Sequence, residues 1–227
     1  MSGTAEEFIM PDAACQAELV IKKSRFIGHL VPARTVEEAE AALEAIRTEH
    51  KTATHNCYAY RVGTGVPVER FSDDGEPSGT AGRPILEVLR RRPVTNALVV
   101  VTRYFGGVLL GANGLVRAYA DATSHVIDRA VLLHCRPLCK LDVVCDYGQY
   151  GRLEHALTQT GRTLVDRAFA ETVSFSLWVP AEEVEAVAND IVDVSHGQAE
   201  VTRHPAQYAG VRPDGSLVFD VLPEDGP

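Results

Sequence analysis

Between Val94 and Thr102 nearly every position is apolar, which predicts a strand buried on both faces at the centre of a sheet. The stretches on either side carry the shorter periods of half-buried elements. Cys15–Lys22 and Arg25–Val31 read as strands joined by the basic link Lys22-Lys23-Ser24-Arg25, and Thr54–Val62 alternates as a strand with Val66–Phe71 as its hairpin partner. In Thr54–Val62, His55, Cys57 and Ala59 fall on one face, and Asn56, Tyr58 and Tyr60 on the other. Thr35-Val36-Glu37-Glu38 has the form of a capping box. It predicts a helix with Ala39, Ala42, Leu43 and Ile46 inward that ends near His50. Arg83–Arg91 and Leu115–Ala130 are the next helices, the second with Leu115, Tyr119, Ala122, Val126 and Ala130 as its apolar stripe.

After His134 the pattern restarts. Strands are expected at Leu138–Cys145, Thr163–Phe169, Thr172–Val179 and Ala199–His204, with helices at Gly148–Thr160 and Ala181–Val192. That order is βαββαβ, the split pattern of ferredoxin-like domains. Arg136-Pro137 marks the join, and the acidic, Pro- and Gly-containing stretch from Pro213 on reads as a frayed tail.

Composition narrows the class without changing this outline. The hydrophobic fraction of 45% and charged fraction of 23% are those of a soluble globular protein. No apolar run reaches membrane-span length and the first residues have no secretory pattern, so a cytoplasmic protein with no membrane association is expected. Five cysteines without Cys-x-x-Cys pairs argue against zinc; no metal and no cofactor are expected. The net charge of −9 is uneven, with 15 basic against 16 acidic residues in positions 1–130 and 7 against 15 in positions 131–227. Contact with nucleic acid would therefore fall to a local patch of the first half.

Candidate chemistry concentrates in two glycine-containing stretches. In Arg103–Tyr119, a strand runs into Arg103-Tyr104-Phe105, then Gly106, Gly107, Gly111, Asn113 and Gly114, then a helix carrying Arg117. Glycines let backbone amides approach a ligand, and a helix start presents free N–H groups, so Arg103, Tyr104, Gly106, Gly107, Gly111, Asn113, Gly114 and Arg117 form a candidate anion or nucleic-acid surface. A tight structural turn is the alternative. A phosphate loop of Walker type is excluded, because Ala112 and Asn113 stand where Lys and Ser/Thr are required. The second stretch, Ser72–Gly82, is dense in turn formers. With His55 and Cys57 it makes a candidate second loop of Asp73, Asp74, Glu76, Ser78 and Thr80. Cysteine and histidine two apart on a strand run parallel, about 7 Å apart, so no residue is assigned a catalytic role.

The blocks His55-Asn56-Cys57-Tyr58-Ala59-Tyr60-Arg61, Ser72–Gly82 and Arg103-Tyr104-Phe105-Gly106-Gly107 through Arg117-Ala118-Tyr119 resemble the IMPACT/YigZ family. The resemblance implies an α+β chain. An N-terminal domain over residues 1–134 would resemble domain 2 of ribosomal protein S5, and a ferredoxin-like domain over 135–210 would resemble domain V of elongation factor G; an acidic, flexible tail over 211–227 would follow. It also implies a translation-associated regulator that binds RNA, the ribosome or a translation factor, more a binding protein than an enzyme. The alternative is a small-substrate hydrolase or transferase using His55 and Cys57 with Asp74 or Glu76. Two positions depart from the family pattern: Asn113, where glycine is usual, and Thr52, where an acid is common.

Overall fold

The structure, a computed structural model, describes residues 7–223. Its order is β1 (Phe8–Pro11), β2 (Cys15–Ile21), β3 (Ser24–Pro32), α1 (Val36–Glu49), β4 (His55–Val62), β5 (Val68–Ser72), α2 (Gly82–Arg91), β6 (Ala97–Tyr104), α3 (Ala112–Arg129) and β7 (Leu132–Cys145). Then come α4 (Tyr147–Gln159), β8 (Val165–Phe169), β9 (Val173–Pro180), a 3₁₀ turn (Ala181–Glu183), α5 (Val184–Val194), β10 (Glu200–Arg203), β11 (Gln207–Val211) and β12 (Leu217–Val218). The chain forms two compact units: one extends to Cys135 and resumes at Gly210, and the other is Arg136–Ala209.

β6 is the centre of the first unit. Residues Ala97 to Val101 have no exposure, as their unbroken apolar run requires, because both faces of the strand are covered. The sheet order is β2-β3-β6-β4-β5, with antiparallel neighbours throughout. One face packs Val99, Val101, Cys57 and Ala59 under α2 and α3; the other packs Leu98, Val100 and Tyr60 under α1. The Thr35 hydroxyl accepts from the Glu38 N–H at 3.1 Å, and Glu38 reaches back to the Arg34 N–H at 2.7 Å, one residue before the cap.

A hairpin tip and a loop both place non-glycine residues in the left-handed region. β2 and β3 are joined by Lys22 and Lys23 alone (φ 45° and 66°), a two-residue turn whose geometry ordinarily favours Asn-Gly. Asp74 (φ 42°) precedes Gly75 (φ 86°) in the loop after β5.

In the second unit, Leu138–Cys145 of β7 pairs with β9 on one side, and Leu141–Val144 pairs with β10 on the other; β8 pairs with β9. α4 and α5 contribute Leu153, Leu157, Val187 and Ile191 to its core. The Asp146 side chain caps α4 by accepting from the Gln149 N–H at 2.9 Å.

Three stretches differ from the sequence-based expectation. β1, unforeseen, pairs Phe8–Pro11 with Leu132–Cys135, so β7 starts before Arg136-Pro137 and passes straight through that join. From residue 211 the chain is not a frayed tail through residue 223. Gly210 and Val211 pair with Val218 and Leu217, Val221 is fully buried, and Arg212 is bonded to Asp12 at 2.7 Å; residues 224–227 lie outside the described residues. α3 begins at Ala112 rather than Leu115, placing Asn113 and Gly114 in its first turn. Neither of those two residues has a positive φ, so Asn113 satisfies the local geometry without glycine.

Candidate functional site

The two glycine-containing stretches come together at one end of the first sheet, and Glu76 is the residue that joins them. Arg103 Nη1 donates to Glu76 Oε1 at 2.6 Å, and the Tyr119 hydroxyl donates to the same oxygen at 2.8 Å. The Glu76 and Arg103 side chains are 3% and 6% exposed, so the charges are held out of water and compensated by each other. The Arg103 guanidinium also lies over the Phe26 and Phe105 rings at 5.3 and 5.4 Å. His55 Nδ1 is 2.8 Å from the Asp74 carbonyl, an acceptor, so Nδ1 carries the proton; Nε2 is 3.8 Å from Glu76 Oε2.

The other acids of the loop have structural tasks. The Asp73 carboxylate accepts from the N–H groups of Gly79, Ala81 and Gly82 at 2.8–3.0 Å, folding Ser72–Gly82 back on itself and opening α2. Asp74 accepts from the Asn56 N–H at 2.6 Å, and the Thr80 hydroxyl donates to the Pro77 carbonyl at 2.6 Å. Ser78 is exposed. The three acids thus serve separate partners instead of converging on one ion.

Cys57 does not have a nucleophile's surroundings. It is fully buried, its thiol donates to the Asp73 carbonyl at 2.9 Å and lies 3.3 Å from the Tyr119 oxygen, and burial pushes its pKa up to about 12. Burial, with Cys57 and Glu76 close by, also pushes Tyr119 well above the usual phenol range, so its proton stays in the hydrogen bond to Glu76. A covalent scheme through Cys57 is therefore removed.

Alternation along β6 separates two residues that the sequence groups. Arg103 turns to the α3 side, whereas Tyr104 turns to the α1 side, where its hydroxyl meets His50 Nδ1 at 2.9 Å and Arg25 lies over its ring. Tyr104 accordingly does not join Arg103, and Arg103 itself is paired with its counter-ion beneath the loop instead of standing among the exposed glycine-loop residues. The remaining glycine-loop residues stay on the surface. Gly107 and Gly111 have φ of 81° and 73°, Gly106 N–H donates to the Ser24 hydroxyl at 3.1 Å, and Asn113 and Arg117 are exposed. Gly106 sits directly on the Lys22–Lys23 turn, since a Cβ there would come within 2.0 Å of the Lys23 carbonyl group.

Beside the Glu76 cluster is an open groove of about 400 Å³. His55, Glu76 and Arg103 form its polar end; Pro77, Phe105, Leu109, Leu110 and Leu115 are apolar lining, and Gly111 and Ala112 bring the start of α3 to it. Sequence reasoning missed Tyr119's part in the cluster and took it only as core. A tyrosine in a stripe of small and aliphatic residues is the available signal, because a buried hydroxyl needs a partner. It also left Lys22 and Lys23 as a mere link, although two lysines in place of Asn-Gly at a two-residue turn stand out once the strands are paired.

Comparison with known proteins places these blocks in a family context. The family model described as Impact N-terminal domain matches residues 22–127, and one described as a domain of unknown function, DUF1949, matches residues 143–198. IMPACT family member YvyE of Bacillus subtilis is 36% identical over 195 residues, covering 86% of this chain and 90% of that protein. IMPACT family member YigZ of Escherichia coli is 34% identical over 198 residues, covering 86% and 97%. A crystal structure of a hypothetical protein is 34% identical with a TM-score of 0.56, covering 86% of this chain and 96% of that one.

Proposed function

Since this chain belongs to the IMPACT family, we propose that it acts in the control of translation, as a cytoplasmic protein whose N-terminal domain binds RNA on the ribosome or with a translation factor. The supporting observation is a set of uncompensated bases around the glycine loop. Lys22, Lys23 and Arg117 are exposed, and none has an acidic partner among the described residues. The two lysines occupy a left-handed turn that disfavours them, a cost that binding would explain. Phe105, 46% exposed, offers a stacking face beside Gly106, and the amides of Gly107 and Gly111 lie in the exposed loop.

In this reading Arg117, Gly106, Gly107, Gly111, Asn113 and Gly114 belong to the interface, joined by Lys22 and Lys23, while Arg103 holds the loop from beneath. With an overall charge of −9, attraction for RNA has to come from local groups of bases such as this one. The order β7-α4-β8-β9-α5-β10 in the second unit, with β7 between β9 and β10, supports the ferredoxin-like reading of that unit. The S5 domain 2-like assignment of the first unit is part of the same proposal.

The test is filter binding of single-stranded RNA at several salt concentrations, with wild type and the Lys22→Ala/Lys23→Ala/Arg117→Ala variant. Three phosphate contacts predict a log–log salt slope of about −2 for wild type, reduced to near zero in the variant. Salt-insensitive retention, or equal retention of both proteins, would remove RNA from the proposal.

A further inference from the structure

We propose that the groove beside Glu76 is a binding site for small monocarboxylates with an apolar body; it shares Phe105, Gly111 and the start of α3 with the proposed RNA surface but none of the three bases Lys22, Lys23 and Arg117. The groove has two chemically different parts. Phe105, Leu109, Leu110 and Leu115 supply the apolar part, and Leu109 is 82% exposed, an aliphatic side chain left open to water beside a concave surface. The polar part is formed by the start of α3 and the His55–Glu76–Arg103 cluster.

Three observations select an anion of single charge. First, α3 is 18 residues long, its N-cap is Gly111, and no side chain caps it, so the first-turn N–H groups next to the groove keep their capacity to donate. Second, Arg103 lines the groove at 5% exposure and its buried Nε has no hydrogen-bond partner among the described residues. Third, the formal charge of Arg103 is already offset by Glu76, so the excess positive potential is the partial charge of the helix start. A carboxylate matches that excess. A phosphate dianion would bring a second negative charge towards the Glu76 carboxylate, which is 3% exposed and cannot swing away into solvent. The apolar lining then requires a hydrocarbon body attached to the carboxylate, which a free acid or the C-terminus of an apolar peptide would supply.

The experiment is calorimetric titration of the full chain with 3-phenylpropanoate and with N-acetyl-leucyl-leucine, against their amides and against inorganic phosphate. Two variants locate the site: Ala112→Asp, which puts a carboxylate at an exposed first-turn position, and Leu109→Asp, at an exposed lining position. Asp in the first turn favours a helix, so Ala112→Asp should fold at least as well as wild type. At least one of the two acids should bind saturably, its amide roughly tenfold more weakly, and each variant should lose roughly tenfold or more in affinity. The tighter of the two acids identifies whether a free acid or a peptide end is the better occupant. Absence of saturable binding of both acids up to ~10 mM, equal binding of the amide, phosphate binding as tightly as the acids, or undiminished binding by Ala112→Asp would each overturn the proposal. The proposed function is read by RNA retention of the Lys22→Ala/Lys23→Ala/Arg117→Ala variant, none of whose substituted residues lines the groove, so failure here leaves that reading standing, and the converse holds.

Discussion

Arg103 Nη1 donates to Glu76 Oε1 at 2.6 Å from a residue 27 positions away, and both side chains are almost wholly enclosed. A buried ion pair contributes little net stability over a well-packed apolar pair, but losing one member strands the other charge out of water. Arg103→Met and Glu76→Leu should each lower the unfolding free energy by about 3–5 kcal/mol, and the double variant should recover a large part of the loss. Urea unfolding of the four proteins reads the cycle. Losses that simply add would show that the pair is not energetically coupled.

Gly106 and Gly107 are adjacent, yet the structure requires glycine at each for a different reason. A Cβ on Gly106 would come within 2.0 Å of the Lys23 backbone carbonyl carbon and oxygen, and neither atom can yield without moving the β2–β3 hairpin. A Cβ on Gly107 meets nothing within 4 Å, and only its φ of 81° opposes a side chain. Gly107→Ala should therefore cost about 1–2 kcal/mol, the ordinary left-handed penalty, while Gly106→Ala should cost more than ~3 kcal/mol or abolish folding. Thermal melts rank the two directly, and equal losses would contradict the close approach of the loop to Lys23.

The five thiols should separate by burial rather than by motif. Burial raises Cys57 and Cys135 to about 12 and pushes Cys139 and Cys145 upward as well, whereas Cys15 is half-buried on β2. At pH 8 a disulfide reagent should therefore modify Cys15 in a fast phase and the other four at the rate of unfolding. Cys15→Ser should abolish the fast phase. Fast, stoichiometric labelling of Cys57 in the native protein would restore the nucleophile reading.

How far the sequence revealed this arrangement depended on how local each cause was. β6 was legible because an unbroken apolar run has few other meanings, and α1 because Thr35 and Glu38 write its cap into four adjacent residues. The two loops were legible as candidates from their glycines and acids, but not as neighbours. Their junction is the Glu76–Arg103–Tyr119 contact, which spans 27 and 43 positions and has no local pattern. The assignment of Tyr104 to the same surface as Arg103 overlooked strand alternation, which sends it to His50 on the opposite face. β1 and the β11–β12 hairpin were missed because strands of four, five and two residues carry little of a period, and tertiary pairing fixes them.

His29 supplies a pH dependence that none of the surface groups would. It lies on β3 at 7% exposure, with Nε2 3.3 Å from the Thr102 hydroxyl and its ring 5.0 Å from the His50 ring; burial, and then the neighbouring His50, lower its pKa from 6.5 to about 4, with Glu49 opposing weakly. The folded protein thus keeps His29 neutral where the unfolded chain would protonate it. Above pH 6.5 both states are neutral and the full stability is present; between 6.5 and about 4 the unfolded state binds a proton that the folded state refuses, so stability falls with falling pH. The loss assignable to His29 should be about 2 kcal/mol, discounted for the solvent that still reaches the site. Urea unfolding at pH 7 and pH 4.5 should show wild type losing more stability than His29→Gln by about that amount. An NMR titration of the His29 ring with an ordinary midpoint near 6.5 would sink the prediction.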